Sequence, residues 1–141
     1  MNKKTKTILR WVAVLPGALL AGFLATFPVH WVLYFSLAHG ETISGVNINP
    51  IEYTIYPFFV ALAFVLAGFA IAPKYKFKTS IVLTCLWIIS FFSAFIIAPM
   101  VIPQIQLKFE LRGILSILGS LLGLYIAWLK SKELTTASII S

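Results

Sequence analysis

Aspartate is absent from this 141-residue chain, and its four acids are all glutamates, Glu41, Glu52, Glu110 and Glu133. Charged residues of either sign make up 11% of the sequence, against about a quarter in ordinary soluble domains. There is one cysteine, Cys85, so an internal disulfide, a CxxC redox pair and a thiolate zinc cluster are all excluded. Cys85 falls inside an apolar run, which predicts a buried small hydrophobe. No HExxH pair, nucleophile elbow or phosphate-cradling glycine loop occurs, so neither an enzyme nor a cofactor is expected.

What the chain has instead is apolar surface: 60% of its residues are hydrophobic and 15% aromatic. A soluble chain of this size has too small an interior to hide so many apolar side chains, which leaves lipid as the solvent. The abundance of aromatics excludes disorder.

A helix crossing the hydrocarbon core needs about 20 mostly apolar residues. Four segments approach or exceed that, at 9–38, 53–72, 80–102 and 111–129, with 130–141 left as a short tail. Pro57 and Pro73 bracket the second, Pro99 and Pro103 close the third, and Gly113 opens the fourth. The first is too long for one straight crossing, and a kink or break is expected near Pro28, with Trp31 and Tyr34 at the outer interface. Ser36-Leu37-Ala38 offers the small residues of a signal-peptide cleavage site, but the preceding apolar stretch is about twice a normal h-region, so a retained span is expected. The expected fold is an all-α integral membrane protein, a four-transmembrane-helix bundle forming one membrane domain over residues 1–141.

The formal charge of +7 raises nucleic acid as a partner, but the distribution argues against it. Lys3, Lys4, Lys6 and Arg10 lie at the start of the chain, Lys74, Lys76 and Lys78 follow the second span, and Lys130 and Lys132 follow the fourth. With four spans these nine cations share one side, leaving Lys108 and Arg112 on the other. That asymmetry predicts cytoplasmic termini. Lys74-Tyr75-Lys76-Phe77-Lys78 then reads as a cytoplasmic turn whose lysines meet anionic lipid.

Helices in lipid associate through close backbone approach or polar links. Gly119, Gly123 and Ala127 fall four apart, flanked by Ser116 and Ser120, and Gly17, Ala21 and Ala25 repeat the spacing beside Ala18, Gly22 and Thr26. Gly68 and Ala72 extend the pattern to the second span. Such stripes serve either packing within the chain or an interface with a second copy or another membrane protein. Thr84, Ser90 and Ser93 are candidates for hydrogen bonds between helices.

The one polar constellation away from the lysines is His30 with Glu52, at the two roots of the 39–52 loop, near Trp31, Tyr34, Tyr53 and Tyr56. It reads either as a shallow outer site for a partner or ligand or as an interfacial aromatic belt. Gly40, Gly45 and Pro50 predict an irregular cap between those roots.

"LRWVAVLPGALLAGF" at 9–23 and "AGFAIAPKYKFKTSIVL" at 67–83 resemble small bacterial four-transmembrane-helix proteins with no assigned function. The resemblance covers the first two-thirds of the chain and implies a bacterial inner membrane and four helices, without an activity or site residues. Small multidrug transporters share the length and span number, but the glutamate in their first span has no counterpart here. The expected function is that of a non-enzymatic subunit or accessory protein acting through helix packing. A small oligomeric channel or transporter is the alternative, and an intramembrane enzyme acting on lipid would need convergent polar groups that the sequence does not offer.

Overall fold

Inside a bilayer the backbone has no hydrogen-bond partner but itself, and apolar runs therefore close their bonds as helices. The computed structural model describes residues 3–37, 50–101 and 111–140. They form α1 (Lys3–Leu37), α2 (Pro50–Ile71), α3 (Lys76–Val101) and α4 (Leu111–Ile140), each with a stretch long and apolar enough to cross a membrane.

Of the kink or break expected near Pro28, no break is present: α1 is one helix of 35 residues with Pro16 and Pro28 inside it. Trp11 and Trp31, both exposed, stand twenty residues apart. At about 1.5 Å per residue that is about 30 Å, the thickness of the hydrocarbon core, and tryptophan favours its two interfaces. Just ahead of Pro28 the Thr26 hydroxyl donates to the Phe23 carbonyl at 2.7 Å, one residue before the Leu24 carbonyl that the proline leaves without its helical donor.

The five-residue turn expected at Lys74–Lys78 is also shorter than predicted. Ala72 still donates its N–H to Gly68 O, and Thr79 already donates both N–H and hydroxyl to Tyr75 O, so the reversal occupies 72–75 alone. Tyr75 makes this possible by adopting φ 52°, in the left-handed region that glycine usually fills. Lys76 and Lys78 consequently lie in the first turn of α3. At the far end of the chain α4 continues to Ile140, so 130–140 is helix rather than tail. Thr135 and Thr136 donate their hydroxyls back to the Ser131 and Lys132 carbonyls along it.

α2 lies at the centre. Its backbone approaches those of α1, α3 and α4, and α3 also lies against α4. Among the described residues α1 has no helix neighbour but α2, so the four helices do not close into a ring. The core gathers Val14 and Ala18 of α1, Phe64, Val65 and Ala72 of α2, and Leu83 of α3, with Trp87 packed against it. Arg10 donates its Nε–H to Ile71 O at 3.2 Å, placing a cation at the C-terminus of α2 where the helix dipole favours it. That contact puts the start of α1 beside the end of α2. The start of α3 and the end of α4 meet at the same end of the molecule. The lysine clusters of both chain ends and of the α2–α3 turn are thereby gathered together.

Candidate functional site

Small side chains matter where backbones touch, and they do so most closely between α2 and α4. A Cβ on Gly119 would strike the Phe58 carbonyl oxygen. One on Gly123 would sit 3.0 Å from Val65 Cβ and 3.3 Å from Leu62 O. Residue numbers rise together along this seam, so the two helices run parallel. Ala127 continues it fully buried. The α4 stripe is therefore occupied by α2 of the same chain.

On α1 the buried small residues are Ala18 and Gly22, the neighbouring stripe, and a Cβ on Gly22 would sit 3.3 Å from Val60 O. Gly17, Ala21 and Ala25 are half-buried at its side. A Cβ on Gly17 would meet the flexible tip of Ile71, a lesser obstacle than backbone.

Between α3 and α4 the polar links are specific. Trp87 Nε1–H donates to Ser116 Oγ at 2.9 Å, while the Trp87 ring lies 5.1 Å from that of Phe64. Ser80 and Ser120 are fully buried and bond to carbonyls of their own helices, Lys76 O and Ile117 O. The Thr84 hydroxyl, expected to link helices, is buried with no hydrogen-bond partner. Cys85 corrects another expectation: it is exposed on α3 rather than buried. In lipid an apolar side chain gains little by facing the protein instead of the bilayer, so its character does not dictate its face.

Of the outer polar constellation, His30 and Trp31 are exposed with their rings 6.3 Å apart in an edge-to-face arrangement, and Tyr56 is half-buried. The side chains of Tyr34, Glu52 and Tyr53 lie outside the described residues, as do Glu41 and the rest of the 38–49 connection, so the pairing of His30 with Glu52 and the expected irregular cap also fall outside them.

At the opposite end Lys74 and Lys78 are exposed, and Lys78 Nζ stands 5.5 Å from the centre of the Tyr75 ring. Lys76 is half-buried, with its ammonium 5.6 Å from the centre of the Phe69 ring. Lys132 lies over Trp128 at 3.9 Å, the closest of these cation–ring contacts.

Two features escaped the sequence reading. Phe23, Phe27, Trp31 and Phe35 fall four apart on α1, each more than half exposed, with Phe23 edge-on to Phe27 and Trp31 stacked on Phe35 at 5.6 Å. Their i, i+4 spacing was there to be read. The second is a groove beside Lys76 lined by residues of α2, α3 and α4, whose α4 wall exists because that helix passes residue 129.

These features define a helical protein with four membrane-length segments arranged about a central α2. Comparison with protein families, characterised proteins and solved structures finds no match to the chain.

Proposed function

We propose that this chain is a multi-pass protein of the bacterial inner membrane, with both termini cytoplasmic, acting as a non-enzymatic subunit or accessory protein through helix packing. The observation that carries the reading is the aromatic row Phe23, Phe27, Trp31 and Phe35. It is exposed on a helix that has a single neighbour, while the small-residue stripe of α4 is already used inside the chain. Helix association in lipid depends on packing, and a rigid row of rings offers a large area with little side-chain entropy to lose. The outer face of α1 is then where a partner helix docks, supplied by another membrane protein or a second copy. The lysine-rich end faces the anionic cytoplasmic leaflet, in keeping with the charge asymmetry of the sequence.

Photo-crosslinking in native membranes tests this reading. A photoreactive residue replacing Phe27 on α1 should yield a discrete protein adduct, whose mass separates a heterologous partner from a dimer. The same residue at Ile89, exposed on α3, should yield lipid adducts alone. Lipid adducts at both positions would overturn the proposal.

A further inference from the structure

At the lysine-rich end α4 runs alongside the α2–α3 turn and leaves a groove of about 240 Å³, lined by Phe69, Lys76, Ser131, Leu134 and Thr135. We propose that this groove binds the phosphate headgroup of an anionic phospholipid, an inference that rests on the membrane placement proposed above. The lining has two chemistries. Lys76 brings an ammonium and Ser131 a hydroxyl, donors suited to phosphate oxygens, whereas Phe69 and Leu134 supply apolar walls for the glycerol and first acyl carbons. Thr135 donates its hydroxyl to Ser131 O, which ties the α4 side of the groove to its own helix.

The depth fits as well. The groove lies level with the end of α2, where Trp128 and Tyr125 pack 5.9 Å apart and Lys132 caps the tryptophan, as expected at the headgroup layer. Glu133 is exposed on α4 and is not part of the lining, so no carboxylate of that helix turn competes inside the groove. The groove is open at its surface, with Leu134 and Thr135 exposed on its α4 wall, so a headgroup can enter it from outside. Basic pockets between membrane helices are known to take anionic headgroups in this way. Lys76 differs from Lys74 and Lys78 in being the cation that lines the pocket, where the other two stand exposed.

The test is native mass spectrometry of the full chain in neutral detergent, titrated with long-chain phosphatidylglycerol or phosphatidylcholine. Phosphatidylglycerol should bind preferentially. Lys76→Gln should weaken it about fivefold, the effect of one well-placed basic residue, while Lys78→Gln changes it less than about twofold. Ser131→Leu, which fills the groove and leaves every charge in place, should weaken binding as well, and it keeps the test decisive if Lys76→Gln does not fold. Equal weakening by Lys76→Gln and Lys78→Gln, or indifference to the lipid's charge, would reduce the effect to diffuse attraction and overturn the site. Displacement by glycerol phosphate as effective as by lipid would show a soluble phosphate ligand and overturn the lipid assignment. Detergent removes orientation and protein partners from the measurement, so failure here leaves the photo-crosslinking result on α1 standing on its own.

Discussion

Replacing Gly119 with alanine adds one methyl group at the tightest point between α2 and α4. Its Cβ would fall on the Phe58 carbonyl oxygen, 2.8 Å from the carbonyl carbon and 2.9 Å from Cα, where ordinary Cβ contacts begin near 3.4 Å. The obstacle is backbone, so no rotamer change relieves it, and the helices must part by more than half an ångström. A gap of about 0.5–1 Å forfeits a quarter to a half of each dispersion contact, itself worth about 0.1–0.2 kcal/mol. Over on the order of 50 atom pairs along the seam the loss is about 2–4 kcal/mol. Alanine's better helix propensity returns about 1 kcal/mol, so the net destabilisation is about 1–3 kcal/mol. On an open helix face the same substitution would stabilise, which makes the sign the informative result. Gly17→Ala is the matched control: the Ile71 tip can move aside, so the change should be neutral to stabilising by up to about 1 kcal/mol. Unfolding in mixed micelles of mild detergent and dodecyl sulfate, followed by tryptophan fluorescence, gives both values. A Gly119→Ala protein that unfolds at the same or a higher dodecyl sulfate fraction than the parent would refute the seam.

Two further expectations concern the buried polar groups. Thr84→Val removes a buried hydroxyl that has no partner and should raise stability in the same assay by about 1 kcal/mol; a loss would show that the hydroxyl is bonded. A double-mutant cycle of Trp87→Phe and Ser116→Ala should give a coupling of about 0.6 kcal/mol, with about 1.7 kcal/mol as the upper end for such links in membranes. Strict additivity would mean that the 2.9 Å bond contributes nothing.

The helix number was legible because the length of an apolar run reports directly on bilayer thickness. The Gly119–Gly123–Ala127 stripe was equally plain, since a spacing of four marks one helix face. Its occupant was not, because the choice between α2 and a second chain depends on contacts remote in sequence. Cys85 shows a deeper limit: lipid is as apolar as a protein core, so hydrophobicity identifies a span without telling its inside from its outside. The short α2–α3 turn was hidden by Tyr75, since a bulky residue seldom takes a positive φ and no glycine announced the reversal. The end of α4 was hidden by its composition: 130–140 carries Lys130, Lys132 and Glu133 and reads as a solvated tail, yet its hydroxyls bond back along the helix. Of the groove, only Lys76 and its neighbouring lysines could be read from sequence; Ser131, Leu134 and Thr135 join it through that extension.

Four crossings with both ends on one side underlie everything proposed here, and accessibility labelling measures them directly. Cys85 is exposed and is first replaced, as Cys85→Ser, so that each new thiol reports alone. Single cysteines are then introduced as Lys6→Cys, Gly45→Cys, Lys76→Cys and Lys132→Cys and treated with a membrane-impermeant maleimide, before and after the membrane is opened. Gly45→Cys should label in intact cells, and the other three only once the cytoplasmic face is exposed. Labelling of Gly45→Cys and Lys76→Cys from the same side would contradict the topology and, with it, the cytoplasmic placement of the lysine-rich end.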